Sequence, residues 1–260
     1  MTDDEQALAG GNASGEVVRI GVTIRKPWTG ATAGVHTVLR SLRANGVDAP
    51  EPRGRDDRGR QVLEYVPGPL AMDAPPLTAD ELRRVGALVR TLHDTSERLR
   101  LAADPALGGV AWDDLLPAPG ADLICHNDLA PWNLIVGDRW VFIDWDAAGP
   151  STRLWDLAYA AQSFTLNDPA QPPREAADRL RAFVAGYDAD RGLRERLPAA
   201  MADRAATMHE LLRSAHTAAR EPWGTMFVEG HGAHWAGVTD YVREHRSVWA
   251  AALATGELPA

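Results

Sequence analysis

Cysteine, lysine and long apolar runs are scarce in this 260-residue chain, and each shortage excludes something. The single cysteine, Cys125, leaves no internal disulfide possible. Its flanks, Leu123 and Ile124 before it and His126 after it, make it a small buried group and not a nucleophile. No run of about 18 apolar residues occurs, so no membrane span is indicated. The segment Met1 to Gln6 is acidic and lacks a signal peptide's basic and apolar regions, so a cytoplasmic protein is expected. Lys and Arg number 27 against 36 Asp and Glu, and no basic stripe appears, which argues against a nucleic-acid partner. Only one of those 27, Lys26, is a lysine. The chain shows no internal repeat. What remains is 45% hydrophobic and 24% charged residues, the balance of a soluble globular protein with room for one large domain or two small ones. Charges cancel over residues 1–70, nine of each sign, so the whole formal charge of −9 falls on residues 71–260.

The most informative stretch is 126–146, HNDLAPWNLIVGDRWVFIDWD. Leu134-Ile135-Val136 and Trp140-Val141-Phe142-Ile143 read as strands, and Gly137-Asp138 between them as a tight turn. In such a hairpin the entrance of one strand lies beside the exit of the other. Asn133 and Asp144 should therefore be neighbours, with Asp128 on the loop before them. An amide oxygen and a carboxylate together suit Mg²⁺, which takes few protein oxygens and completes its shell with water and phosphate. Any one of these residues alone would be an ordinary turn former; the set at these spacings points to a metal site.

The segment resembles the catalytic core of the aminoglycoside phosphotransferase and choline kinase-like family, relatives of the protein kinases. His126-Asn127-Asp128-Leu129-Ala130-Pro131-Trp132-Asn133 is similar to the family's H-x-D-x-x-x-x-N loop, and Phe142-Ile143-Asp144-Trp145-Asp146 to its metal motif. Trp155-Asp156-Leu157-Ala158 resembles its D-L-A segment. The resemblance implies ATP and Mg²⁺ as cofactors and Asp128, Asn133 and Asp144 as the catalytic set. Asn133 and Asp144 would hold the metal, and Asp128 would take the proton of an acceptor hydroxyl. His126 and Asp156 are implied as braces of the loop. Trp132 is placed to meet the substrate, and Asp146 to assist at the metal or to be solvated.

The resemblance also implies a bilobal protein-kinase-like fold of the α+β class. It has a small β-rich lobe over residues 1–67 and a larger, mainly helical lobe over 68–260 that carries the catalytic loop and acceptor site. Residues 16–20 and 22–25 read as a hairpin about Gly21. Gly10 to Gly15, with Ser14, is either a phosphate-binding turn or an N-terminal linker. Val22-Thr23-Ile24-Arg25 is similar to the kinase strand whose basic residue holds the α/β-phosphates; alternation makes Arg25 the aligned cation and Lys26 its competitor. Residues 32–44 read as a helix stopped by Asn45-Gly46. The family's helix usually carries a Glu that pairs with that cation, and here Val35 or His36 stands in its place. Residues 60–68 resemble the strand and hinge leading to the large lobe, where backbone around Glu64, Tyr65 and Val66 would meet adenine. Thr78 to Glu81 reads as a capping box opening a helix, and 174–188, 193–219 and 233–253 as further helices.

The function implied is transfer of the ATP γ-phosphoryl group to a hydroxyl of a small molecule. The acidic large lobe favours a cationic acceptor such as an aminoglycoside or another amino-bearing alcohol, although an acidic surface also serves solubility. The alternatives are a kinase for a choline-like or amino-acid alcohol and a kinase-like nucleotide-binding module without turnover.

Overall fold

The computed structural model describes residues 5–8, 16–99, 107, 109–112 and 115–254. Gly10 to Gly15, and Ser14 with them, lie outside the described residues. Five antiparallel strands come first: β1 (Gln6–Ala7), β2 (Val18–Ile20), β3 (Thr23–Lys26), β4 (Pro52–Arg55) and β5 (Gln61–Glu64), in the order β1-β2-β3-β5-β4. Gly21, at φ 60°, turns β2 into β3 and leaves Val22 exposed at the tip. Helix α1 (Thr32–Ala44) buries Val35, Val38, Leu39 and Leu42 on one face. It stops where Gly46, at φ 81°, returns its N–H to the Arg43 carbonyl. Strand β4 was not legible, because Pro-Arg-Gly-Arg has no apolar residue and pairs only as an edge.

After the sheet the chain is mainly helical. Helix α2 (Ala79–Leu99) opens on the capping box: Thr78 N–H and Oγ1 both reach Glu81 Oε2 at 2.8 Å. Strand β6 (Leu123–Cys125) pairs with β9 (Gly149–Ser151), and between them the β7 (Leu134–Ile135) and β8 (Val141–Phe142) hairpin projects. Then follow α3 (Arg153–Thr165), α4 (Pro173–Tyr187), α5 (Arg191–Thr217), the short α6 (Trp223–Met226), a π-turn over Phe227–His231, α7 (Gly232–Glu244) and α8 (Arg246–Ala254). The single helix expected over 233–253 is two helices, broken at His245, whose φ of −98° and ψ of 18° are not helical.

A contiguous apolar cluster runs from α1 through the hairpin to α8. Helices α2 and α4 cross where Gly86 faces Gly186, so closely that a Cβ on Gly86 would strike the Phe183 carbonyl oxygen. Among the described residues no helix is long and apolar enough to cross a membrane.

Candidate active site

The loop leaving β6 is held from several sides. His126 Nδ1 accepts the Asp128 N–H at 3.3 Å, which leaves Nε2 to donate to the Ile143 carbonyl at 3.0 Å. Its ring lies against Trp145, with centroids 4.5 Å apart. Asn127 adopts a left-handed backbone at φ 64°, a conformation that Asn tolerates better than most residues. Its side-chain amide donates to the carbonyls of Ala147 and Gly149, and its N–H donates to Asp156 Oδ1 at 2.9 Å. Asp156, buried on α3, meets His93 Nε2 with its other oxygen at 3.1 Å, and His93 Nδ1 meets the Tyr187 hydroxyl at 2.8 Å. A strained loop conformation is thus over-determined by side chains from α2, α3 and α4.

Asp128 receives one donor on each carboxylate oxygen: the Tyr159 hydroxyl on Oδ1 at 2.9 Å and the Asn133 amide on Oδ2 at 2.7 Å. Burial pushes its carboxyl above the ordinary aspartate range, aided by the nearby Asp144 charge and opposed by His126, Tyr159 and Asn133. Asn133 closes a 3₁₀ turn (Pro131–Asn133) and is not in the strand itself; its carbonyl takes the Ile143 N–H at 2.8 Å, which sets it beside the residue preceding Asp144.

Asp144 leaves the hairpin with a left-handed backbone, φ 59° and ψ 66°. Lys26 Nζ lies 2.5 Å from Asp144 Oδ1 and 2.6 Å from Asp146 Oδ2. The lysine side chain is 4% exposed and the two carboxylates 25% and 32%. Burial pulls the ammonium down, but the two carboxylates overcome it and hold it above the ordinary lysine range.

The cation facing the Asp144 and Asp146 carboxylates is therefore Lys26 and not Arg25, the residue that alternation had aligned. Arg25 does share a face with Thr23, donating to its hydroxyl at 2.5 Å, but that face turns toward Asp56, 3.5 Å away. His36 does not brace the lysine through a hydrogen bond: it is buried edge-on to Trp28, its ring nitrogens unbonded. Burial, with the Arg40 charge nearby, lowers its pKa, and Gln61 opposes the shift. Lys26 meets its counter-charge on the 144–146 segment and not on α1.

Along β5, Glu64 is occupied by Arg139 at 2.5 Å and by the Glu51 N–H at 3.1 Å. Tyr65 gives its N–H to Val22 and lies under Arg19. Val66 is buried with Ile135 and Val141. Trp132 stands edge-on to Tyr159, centroids 6.5 Å apart, and Tyr159 stacks on Trp235 at 6.0 Å. Tyr159, Trp235, His93 and Arg204, whose guanidinium donates to the Asn127 carbonyl at 3.1 Å, were not foreseen. A signal existed for two of them. Tyr159 follows Asp156 by one helical turn, and Arg204 falls at apolar spacing between Leu197, Met201 and Leu211.

Residues 102–193 match the phosphotransferase enzyme family. The protein LicA of Haemophilus influenzae is 42% identical over 57 residues, which are 22% of this chain and 19% of LicA, so the likeness spans about a fifth of that relative. In fold, the chain is similar to the amicoumacin kinase hAmiN solved with AMP-PNP, Ca²⁺ and Ami: TM-score 0.67 and 16% identity, covering 92% of this chain and 88% of that one. A choline/ethanolamine kinase family protein from Mesorhizobium loti aligns with TM-score 0.55 and 18% identity, covering 97% and 92%. The five-stranded sheet followed by a helical region is the α+β kinase-like fold of these structures, and the sequence resemblance to the phosphotransferase enzyme family is carried by residues 102–193.

Proposed function

We propose that the chain is an ATP-dependent phosphotransferase that moves the γ-phosphoryl group to a hydroxyl of a small molecule. The observation that carries this reading is the juxtaposition of Lys26, Asp144 and Asp146 with the doubly held carboxylate of Asp128. Phosphoryl transfer asks for alignment and charge cancellation more than for covalent chemistry. The donor set fits a hard divalent cation. Two carboxylates already share a positive charge, the Lys26 ammonium, and the Asn133 amide makes its bonds to Asp128 through nitrogen, which turns its oxygen to other partners. Asn133 and Asp144, with Asp146 beside them, would hold Mg²⁺, which when bound neutralises phosphate charge.

The protein's own residues then divide the work. Lys26 holds phosphate oxygens, in the role that strand alternation had offered to Arg25. Asp128 orients the acceptor hydroxyl and accepts its proton, and its raised pKa makes it a better base than a free aspartate. His126 and Asp156 keep the loop in its strained conformation. The backbone of Glu64 to Val66 borders the adenine. Because the Glu64 and Tyr65 N–H groups are spent within the sheet, Val66 and the carbonyls are what an adenine edge would meet. Trp132, against Tyr159, borders the acceptor.

The acceptor is an amino-bearing alcohol. The negative charge concentrated in residues 71–260 supports that class, as does the kind of molecule named for the similar structures, amicoumacin and choline or ethanolamine. The test is ATP consumption with Mg²⁺ across a panel of aminoglycosides, choline-like amines and hydroxy amino acids, with the phosphorylated product identified by mass. Turnover of an amino-bearing alcohol is expected. ATP binding without turnover of any acceptor would replace this reading with that of a nucleotide-binding module.

A further inference from the structure

One buried cation has no part in the chemistry above. Arg204 lies in the middle of α5 and is 2% exposed. Its Nη2 donates to the Asn127 carbonyl, while Nε and Nη1 have no hydrogen-bond partner. A guanidinium is charged at any working pH, and burying one without full compensation is expensive. Its compensation comes from the nearby Asp128 and Asp156 charges and from π faces. The guanidinium carbon sits 4.2 Å from the centroid of the Tyr159 ring and 5.7 Å from that of Trp155. The Tyr159 ring is fixed on another side by its stack with Trp235, and its hydroxyl donates to Asp128.

We propose that Tyr159 and Arg204 are a positioning pair for Asp128, the guanidinium acting on the carboxylate through the tyrosine ring and through the Asn127 carbonyl. A cation on the face of a phenol withdraws electron density from the ring and strengthens its O–H as a donor. The strengthened donor holds Oδ1 while Asn133 holds Oδ2, so one carboxylate orientation is selected before an acceptor arrives. The second arm of the guanidinium pins the backbone carbonyl of Asn127, next to Asp128 and in its left-handed conformation. Neither residue needs to touch the acceptor or the nucleotide. This inference rests on the phosphotransferase reading for its consequence in rate, but the contact between the three side chains can be tested without turnover.

The test uses Tyr159→Phe, Arg204→Met, Arg204→Lys and the Tyr159→Phe/Arg204→Met double variant, with the acceptor found by the panel. Arg204→Met fills a similar volume; it relieves the burial of a charge but loses the bond to the Asn127 carbonyl, so circular dichroism is used to show that each variant folds. Tyr159→Phe removes one hydrogen bond to a charged group and should lower kcat by about 10- to 100-fold, with acceptor KM and nucleotide affinity near the parent values. Arg204→Met should lower kcat as well, Arg204→Lys should recover part of the loss, and Arg204→Met should cost less in the Tyr159→Phe background than in the parent, the remainder being the arm through the Asn127 carbonyl. Equal effects of Arg204→Met in both backgrounds, or a loss that appears in KM and not in kcat, would overturn the pair.

The readout independent of rate is the ¹³C resonance of the phenol carbon bearing the hydroxyl, in protein labelled at its four tyrosines. The signal missing in Tyr159→Phe identifies Tyr159. It should shift in both Asp128→Asn and Arg204→Met, and a signal unmoved by Arg204→Met refutes the inference. If the parent phosphorylates nothing, the phosphotransferase reading fails, and this resonance alone decides whether the pair exists.

Discussion

Lys26→Met removes the ammonium group that faces Asp144 and Asp146 while keeping most of the side chain's length and apolar stem. In the parent, Nζ lies 2.5 and 2.6 Å from two carboxylates that otherwise repel one another. Removing one partner of a fully buried pair costs about 3–5 kcal/mol, because a charge is left without compensation. Here the carboxylates are 25% and 32% exposed and can recover water, and the ammonium's own burial penalty disappears. A loss of about 1–2 kcal/mol is therefore expected, which for a chain of this size lowers the thermal midpoint by roughly 2–8 °C. The sign of the pH dependence follows from the raised lysine pKa. Its stabilising contribution is fully present below the ordinary lysine range and is lost only as pH rises through the higher folded value. The gap in midpoint between parent and variant should thus stay constant from about pH 7 to 9.

Under the proposed function the same substitution also removes a charged donor to phosphate. Hydrogen bonds to charged groups are worth about 1.5–3 kcal/mol, so affinity for Mg²⁺ and AMP-PNP should fall by about 10- to 150-fold. Arg25→Ala is the control, because its guanidinium faces Asp56 and not the carboxylate pair; nucleotide affinity there should stay within about threefold of the parent. Isothermal titration calorimetry with both variants decides between them. A large loss in Arg25→Ala with little change in Lys26→Met would return the phosphate role to Arg25 and refute the reasoning from the contacts of Lys26 with Asp144 and Asp146.

Three other outcomes can be checked on the same protein. Asp144→Asn should abolish turnover and the binding of Mn²⁺, followed by paramagnetic relaxation, while the far-ultraviolet circular dichroism is unchanged; normal turnover at ordinary Mg²⁺ would remove Asp144 from the metal site. Asp128→Asn should lower kcat by about 10²–10⁴-fold, the reach of a positioned base, and at neutral pH should raise the thermal midpoint. Its carboxyl is pushed above the usual range chiefly by burial, so the folded state gives up stability to keep it ionised, and an amide can still meet Tyr159 and Asn133; a lowered midpoint would contradict this. Gly86→Ala should destabilise by at least about 1–3 kcal/mol in urea, because the new Cβ strikes α4 backbone at the Phe183 carbonyl, and this outweighs the helix propensity of about 1 kcal/mol gained from alanine. Unchanged stability there would mean that the helices can separate at little cost.

How far each feature was legible follows from where its partners lie along the chain. Helix α1 was readable to both ends because its evidence is local: an apolar face at helical spacing, then Asn45-Gly46. The hairpin of 134–142 was readable because both strands and their turn lie within a dozen residues. Periodicity failed where it continued through a break: the apolar spacing of 233–253 carries on across His245, although the backbone does not. Alternation along β3 separated Arg25 from Lys26 correctly, and could not say which of the two faces the 144–146 carboxylates. That question is settled by Asp144, 118 residues away. The same distance problem hid the environment of Asp128. Tyr159 is 31 residues from it, and Arg204 reaches Asn127 across 77. A buried arginine among alanines on an apolar helix face is nonetheless a sequence-level conflict, and conflicts between local pattern and burial concentrate at functional sites. If Arg204 and Tyr159 form the proposed pair, the unfitness of Arg204 for a core position was the visible sign of that role.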